Sequence, residues 1–136
     1  MSESKLTREQ MVATLVKFDH AMATLNLQEM REVVAPAFAW HIPGSHPLSS
    51  VTIGPEEAID RCRSFAPFRV KSEFVSLNPT GPLSLEIVVR DTGSHNGKTL
   101  DVTLNDKATF SAEGKLFSLT SGQDEAAIEQ ANAYFG

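Results

Sequence analysis

The sequence predicts an α+β domain in which helices pack on one side of a curved antiparallel sheet. Apolar residues recur every three or four positions in the first half of the chain, as in amphipathic helices. From Phe68 onward they alternate with polar residues, as in half-buried strands. Because helices come first and four consecutive strands follow, the two kinds of element should form separate layers.

The first helix should begin at Thr7. Thr7 and Gln10 have the spacing of a capping box, and Leu6 and Met11 are placed as its hydrophobic staple. The apolar positions behind this start form one continuous helix face, made of Met11, Leu15, Phe18, Met22 and Leu25.

A second, shorter helix should follow directly. Asn26 and Glu29 have the pattern of its N-cap, and Pro36 should end it. Residues 38–42, FAWHI, then predict a short aromatic strand, which runs into the turn-rich PGSHPLSS. Two helices therefore precede the first strand.

A third helix should begin at Gly54 and Pro55, because proline suits the first helical position, and it should end at Pro67. The tail QDEAAIEQANAYF has the composition of a closing helix. The strands predicted from the alternating pattern are residues 69–77, 83–90, 99–111 and 115–121.

Size and charge restrict the class of protein. A chain of 136 residues is the length of one domain, residues 1–136, and 41% hydrophobic residues is typical of globular domains. A net charge of −5 with no basic block argues against nucleic acid or an anionic membrane as partner. The polar start MSESKLTREQ lacks a signal-like apolar run, so we expect a cytoplasmic protein.

The sequence offers little support for a metal or a cofactor. Cys62 is the only cysteine, and it lies in an apolar helix stripe, which is typical of core packing. The four histidines have no one-turn helical spacing, and no glycine-rich phosphate loop occurs. We therefore expect no metal and no cofactor.

LDVTLNDKATF, residues 100–110, contains one residue that breaks the strand pattern. Its second row of alternate positions is wholly polar, so the first row should face the core. Asp106 lies in that otherwise apolar first row. A desolvated carboxyl has a raised pKa and can donate or accept a proton near neutral pH, which makes Asp106 a candidate catalytic residue. The alternatives are a structural pair with a neighbouring group or a solvated position at the end of the sheet.

WHIPGSHPLSS followed by GPEEAI, and later ATFSAEGKLFSL, resemble motifs of a known family. They are similar to those of the SnoaL-like and ketosteroid-isomerase-like members of the nuclear-transport-factor-two-like (NTF2-like) superfamily. The resemblance implies a cone, in which a strongly bent sheet wraps around three helices and leaves a deep apolar pocket. It also implies a homodimer that pairs through the outer face of the sheet, where Val75, Leu77 and Val88 make the middle strands moderately apolar.

The same resemblance implies roles for individual residues. Asp106 matches the aspartate that acts in ketosteroid isomerases as a protonated hydrogen-bond donor to the oxyanion. Phe18 stands where those isomerases have a tyrosine, and their general-base aspartate falls at His41 or Ile42. The full isomerase set is therefore missing, although a histidine at position 41 could replace the base.

Several residues have competing interpretations. His41 is a candidate catalytic partner; because it is out of phase with Phe38, Trp40 and Ile42, the alternative is a residue on the solvated face of the strand. His46 lies in a turn where an exposed histidine is usual, and Asp19 flanks the apolar stripe of the first helix. The expected substrate-binding walls of the pocket are Phe18, Met22, Trp40, Phe65 and Phe110.

These observations predict a cofactor-independent acid/base enzyme of the isomerase, dehydratase or cyclase type. Asp106 would titrate, with His41 as partner, and the substrate would be a small hydrophobic molecule such as a polyketide, terpenoid or steroid-like compound. One alternative is a non-catalytic module for ligand binding or dimerisation. A second is an epoxide-hydrolase-type hydrolase, which would need several polar groups around a water.

Overall fold

Four helices and six strands make up the described part of the chain, residues 6–122 and 124–136 of a computed structural model. The elements in order are α1 Arg8–Thr24, α2 Leu27–Val33, β1 Val34–Ile42, β2 Ser50–Ile53, α3 Gly54–Phe65, a 3-10 turn Ala66–Phe68, β3 Lys71–Gly81, β4 Ser84–His95, β5 Lys98–Phe110, β6 Leu116–Thr120 and α4 Glu125–Phe135. Within these residues no helix has both the length and the apolar character needed to cross a membrane.

The predicted helix starts are confirmed. The Thr7 hydroxyl accepts from the Gln10 N–H at 3.1 Å, and the Gln10 side chain accepts from the Thr7 N–H at 2.8 Å. The Asn26 side chain accepts from the Glu29 N–H at 3.0 Å. Leu25 departs from the predicted apolar face: it caps α1 in the left-handed region, with φ 52°, and its side chain is turned outward.

The six strands form one open sheet in the order β2-β1-β6-β5-β4-β3. Every neighbouring pair is antiparallel except β1 and β6, which run parallel, so the predicted antiparallel sheet is mixed. Register shifts interrupt the β3–β4 and β5–β6 pairs, and such bulges bend strands. Together they give the curved sheet that the sequence predicts.

Strand β2 and the start of β1 are absent from the sequence prediction. β2 consists of Ser50–Ile53, which is short and mostly exposed and therefore has no alternating pattern. β1 begins at Val34, so Pro36 lies inside a strand instead of ending helix α2. The four later strands are confirmed in order, with different ends.

The hairpin between β4 and β5 explains the largest difference in strand length. Asn96 and Gly97 form its turn with φ of 50° and 76°, as a two-residue turn of this kind requires. Because the turn is so tight, pairing continues to His95↔Lys98, and β4 passes its predicted end at residue 90.

The helices cover the inner face of the sheet in two clusters. The larger cluster joins α1, α2 and α3 to the sheet, and its fully buried members include Met11, Phe38, Ile59, Leu85 and Leu116. The smaller cluster joins α4 to β5 through Leu100, Val102, Ala127, Tyr134 and Phe135. The closing helix thus adds a fourth helix to the three expected inside the cone; Gln123, the first residue of its predicted segment, lies outside the described residues.

One residue predicted on the surface is partly buried instead. Leu77 was expected on the outer face of the sheet, but it pairs with the buried Ile87 and packs against the larger core cluster. The bulge between Phe74 and Ser76 shifts the alternation by one residue, which turns Leu77 inward and leaves Val75 61% exposed.

Arg61 holds α3 against β1 and β2. The side chain is buried, and its guanidinium donates to the carbonyl of Trp40 at 2.7 Å and to the carbonyl of Ser50 at 2.8 Å. A further bond goes to the Ser50 hydroxyl. The guanidinium carbon also lies 5.0 Å from the centroid of the Trp40 ring. Through Arg61, helix α3 therefore holds strand β1, which contains Trp40, in position.

Arg61→Leu should lower the free energy of unfolding by about 3 kcal/mol, because the buried carbonyl of Trp40 and the partly buried carbonyl of Ser50 lose a charged donor. Urea denaturation followed by circular dichroism measures this loss. The control is Arg63→Leu, on the same helix, whose side chain is 61% exposed and pairs only with Asp60; its loss should stay below about 1 kcal/mol. Equal losses in the two variants would contradict the assigned role.

Candidate active site

Strand β5 places its two rows of side chains as the sequence predicts. Leu100, Val102, Ala108 and Phe110 are buried, whereas Asp101, Thr103, Asn105 and Lys107 are exposed. Asp106 lies in the inner row, opposite Ile87 of β4, and is only partly accessible. The carboxyl therefore lies on the concave side of the sheet.

Among the described residues the Asp106 carboxyl has one hydrogen bond, in which its Oδ1 accepts from the backbone N–H of Gly122 at 2.8 Å. Burial raises the pKa of this carboxyl to about 7; the Gly122 bond opposes the shift, and the negative charge of Asp91 adds to it. A raised pKa is expected when desolvation outweighs one hydrogen bond. Asp106 can therefore be present in both protonation states near neutral pH.

The backbone that holds Asp106 is fixed by the segment after β6. Ser121 donates its N–H to the carbonyl of His41 at 2.9 Å, and its hydroxyl accepts from the Trp40 indole N–H at 3.3 Å. Gly122 has φ 62°, and a Cβ added there would lie 3.0 Å from Leu104. Glycine is thus required for both the backbone conformation and the close approach to β5.

A cavity of about 820 Å³ opens between the sheet, α1, α3 and α4, and Asp106 is part of its wall. Four of the five predicted wall residues line it, namely Phe18, Met22, Trp40 and Phe65. Phe110 does not, because its end of β5 lies in the larger core cluster, opposite the buried Leu116. The cavity wall is mainly apolar, and it includes Leu15, Ile87, Val89, Leu104, Leu119 and Phe135.

The structure separates His41 from this cavity. His41 is exposed and does not line the cavity, whereas Trp40 beside it is buried and does. The alternation of β1 decides this placement, since Phe38 and Trp40 point inward and His41 therefore points outward. The structure therefore does not bring His41 together with Asp106, and Ile42, which has no titratable group, lines the cavity in its place.

Two further aspartates line the same cavity. Asp91 lies in the inner row of β4 after Leu85, Ile87 and Val89, and its Oδ1 accepts from the Ser72 hydroxyl at 2.6 Å. Burial raises the pKa of Asp91, the Ser72 bond lowers it, and the charge of Asp19 raises it. Burial also raises the pKa of Asp19 on α1, although the side chain is largely exposed. With Asp106 and Glu73, four residues with carboxyl groups therefore line the cavity.

His46 also lines the cavity and is buried, contrary to the expectation of an exposed loop histidine. Its Nδ1 accepts from the Leu48 N–H at 3.2 Å, which places the proton of a neutral ring on Nε2. Burial and the nearby Arg61 lower the pKa of His46, so the neutral ring is favoured. Nε2 has no hydrogen-bond partner among the described residues.

The thiol of Cys62 is protonated and unreactive near neutral pH. Burial raises the pKa of Cys62 to about 12, which fits the core role that the sequence predicts. Among the described residues no group of three or more His, Cys, Asp or Glu side chains is arranged to hold a metal ion. Proton transfer is a reaction that the carboxyl groups lining the cavity can carry out.

Asp91 is not among the candidate site residues that the sequence predicts. The alternate-row pattern that identifies Asp106 applies equally to LEIVVRD, in which Asp91 follows three apolar inner residues. The predicted strand ended at residue 90, so the pattern was not extended by one position. No comparable signal exists for His46, whose burial depends on Phe135 of the distant helix α4, with ring centroids 5.0 Å apart.

No protein-family model matches the chain, and no curated protein matches it significantly. Solved structures do. An NTF2-like protein from Burkholderia xenovorans LB400 superposes with a TM-score of 0.75 at 19% identity, over 91% of this chain and 96% of its own. A proposed SnoaL-like polyketide cyclase from Jannaschia sp. CCS1 gives 0.70 at 18% identity, over 98% of this chain and 96% of its own.

A third structure contains a ligand. Rv0760c from Mycobacterium tuberculosis, in complex with estradiol-17beta-hemisuccinate, gives a TM-score of 0.72 at 10% identity, over 87% of this chain and 96% of its own. At such identities the likeness establishes the fold alone. The element order, the curved mixed sheet and these superpositions together show that the chain has the NTF2-like α+β cone fold.

Proposed function

We propose that this protein is a cofactor-independent acid/base enzyme of the isomerase, dehydratase or cyclase type, with Asp106 as its principal titrating group. Its substrate is a small, mostly apolar organic molecule, such as a polyketide, terpenoid or steroid-like compound. The observation that carries the proposal is the position of the Asp106 carboxyl, on the apolar wall of a cavity that can hold such a molecule.

The physical argument rests on the protonation state of that carboxyl. General acid/base catalysis is most efficient when the pKa of the group lies near the working pH. Burial raises the pKa of Asp106 to about 7, so the acid and the base form are both accessible.

The size of the cavity and the ligand of one related structure support the substrate class. A volume of about 820 Å³ lies within the range of ordinary small-molecule sites. Rv0760c, with the same fold, binds a steroid ester, and the Jannaschia protein is a proposed polyketide cyclase. Polycyclic, weakly polar molecules of this kind suit walls formed by Phe18, Trp40 and Phe65.

A binding module without catalysis is the main alternative, because this fold can serve only as a pocket. The alternative predicts a cavity with a single titratable group or none. The cavity instead contains Asp19, Asp91 and Asp106, and burial raises the pKa of all three carboxyls. Partly buried carboxyls such as Asp91 and Asp106 are costly in an apolar binding pocket, which favours the enzyme.

Two simple ketones test the proposal without knowledge of the natural substrate. Proton NMR in D₂O follows exchange of the acidic C–H groups of 2-tetralone, and absorbance follows conversion of 3-cyclohexen-1-one to its conjugated isomer. The protein should accelerate at least one reaction above buffer and above an equal concentration of heat-denatured protein. If both ketones bind, as NMR line broadening would report, and neither reacts faster, the binding module becomes the better assignment.

Asp106→Asn should reduce this activity by roughly 100-fold or more, which is the usual contribution of a general acid or base. The variant keeps an oxygen for the Gly122 N–H, so the loss should come from the missing proton. Asp60→Asn is the matched control: its side chain is 72% exposed on α3, outside the cavity, and activity should be unchanged.

Asp106→Asn should also be more stable than the wild type at alkaline pH. The folded-state pKa of Asp106, about 7, lies above the unfolded value, so the folded protein gains stability from the bound proton at low pH and loses it as the pH rises through 7. Thermal melts should show Asp106→Asn above the wild type at about pH 8, with a smaller difference at about pH 5. A variant that melts well below the wild type at both pH values would instead indicate a structural pair.

We also propose a homodimer that pairs through the outer face of the sheet. The prediction is supported by exposed apolar residues on the strands, namely Val51, Ile53, Val75 and Phe117, each at least 50% exposed. Light scattering should give a mass about twice 14.8 kDa, and Phe117→Lys should shift it towards the monomer. A monomer mass for the wild type at micromolar concentration would contradict the dimer.

A further inference from the structure

Asp91 lines the cavity on the inner face of β4, and the proposed function of Asp106 gives it no role. Asp19 on helix α1 is close enough for its charge to raise the pKa of Asp91. Among the described residues none of the three aspartates of the wall, Asp19, Asp91 or Asp106, forms an ion pair with a Lys, Arg or His side chain. The cavity wall therefore contains carboxyls that no ion pair within the described chain neutralises.

Strand alternation directs the charged neighbours of Asp91 away from the cavity. Ser72 and Asp91 are paired in register on the inner face, so the residues beside them on β3 and β4 belong to the outer face, namely Lys71, Glu73 and Arg90. On that outer face Arg90 donates to Asp101 at 2.9 and 2.8 Å. Arg69 is exposed and lies outside the strands, at the end of the 3-10 turn. The charge on the inner face of β4 and β5 is thus acidic.

From this placement we propose that the cavity binds an amphiphilic amine, whose protonated amino group lies against Asp91 and Asp19 and whose apolar body extends towards Asp106. The inference rests on the proposed function in taking this cavity as the substrate site, and it narrows the substrate class to organic cations.

An ammonium group supplies what the carboxyl of Asp91 lacks. A carboxylate taken out of water is costly unless it is paired, and hydrogen bonds between N⁺–H donors and carboxylates are among the strongest in proteins. Oδ1 of Asp91 accepts from the Ser72 hydroxyl at 2.6 Å, whereas Oδ2 has no hydrogen bond among the described residues. The Ser72 bond favours the carboxylate form and leaves Oδ2 for the ligand.

Asp106 is too far away to share the same ammonium group. It pairs with Ile87, four residues before Asp91 on β4, which corresponds to about 13 Å along the strand direction before the curvature of the sheet is considered. A ligand whose amino group lies at Asp91 therefore reaches Asp106 with its apolar body.

The rest of the wall suits an organic cation better than a metal ion. The aromatic rings of Phe18, Trp40 and Phe65 line the cavity, and such rings attract cations as well as apolar groups. A metal ion would need more ligands than two carboxyls, and among the described residues no group of three or more potential ligands is arranged for one.

His46 is an independent indication that a ligand belongs in this cavity. The side chain lines the cavity and is only 5% exposed, and its Nε2 has no hydrogen-bond partner among the described residues. Because Nδ1 accepts from the Leu48 N–H, Nε2 is the donor of the neutral ring. A buried donor without an acceptor costs free energy, so an acceptor atom of the ligand is expected at this end of the cavity.

Two ligands with one shared skeleton test the proposal. 2-Aminotetralin is cationic at neutral pH, and 2-tetralol has a hydroxyl in place of the amino group. Trp40 is the single tryptophan and lines the cavity, so its fluorescence reports binding there, and calorimetry gives each Kd. The wild type should bind the amine roughly tenfold or more tightly than the alcohol.

Asp91→Asn should lose most of this preference, because the ammonium group then meets a neutral amide. Its affinity for 2-tetralol should stay within about twofold of the wild type, which shows that the cavity is intact. Asp19→Asn should lose less of the preference, since Asp19 is exposed and its charge is screened. Asp60→Asn, outside the cavity, is again the control and should keep both affinities.

Equal affinities of the wild type for the two ligands, or no measurable binding of either, would overturn the proposal. An Asp91→Asn variant that keeps the full preference for the amine would overturn it as well. The ketone assays judge the proposed function separately. Amine preference without ketone turnover would retain the amine site and remove the enzyme assignment, whereas turnover without amine preference would do the reverse.

Discussion

The site depends on the desolvation of a carboxyl by the inner face of strand β5. Asp106 occupies a position in a row of β5 that is otherwise apolar. Because side chains alternate along a strand, its side chain lies on the inner face of the sheet with that row. The hydrogen bond from the Gly122 N–H does not replace the hydration that the carboxylate loses on burial. The protonated form is therefore stabilised relative to the anion, and the pKa of Asp106 rises to about 7. The proposed proton transfer in this cavity depends on this difference between the desolvation of the carboxyl and the one hydrogen bond that it receives from Gly122.

The surrounding structure holds the Asp106 carboxyl in this desolvated environment. Arg61 fixes Trp40 and Ser50 from helix α3, and Trp40 in turn donates to Ser121. Ser121 leads directly to Gly122, whose N–H reaches Asp106. A buried cation on one side of the core is thus connected through strand β1 and the end of β6 to the carboxyl, while α4 closes the cavity with Ala127, Ala131 and Phe135.

Much of this arrangement could be predicted from local patterns. The caps at Thr7 and Asn26, the order of the elements and the inward position of Asp106 are all consequences of short-range sequence spacing. The sequence of a short strand does not fix which face each residue occupies, so the pattern left the placement of His41 open, and the structure places it on the exposed side. Strand β2 and the burial of His46 depend on partners far away in the chain, so no local pattern indicates them. Asp91 lay one residue beyond a predicted strand end.

The most direct test of the account is the pKa of Asp106 itself. Carboxyl carbon shifts measured by NMR across a pH titration, with Asp106→Asn used to assign the resonance, report it without any substrate. The account predicts a midpoint near 7, far above the ordinary value of an aspartate. A midpoint of about 4 would show that Asp106 remains an ordinary solvated carboxylate, and it would contradict the central claim that burial in the cavity raises the pKa of this acid towards neutral pH.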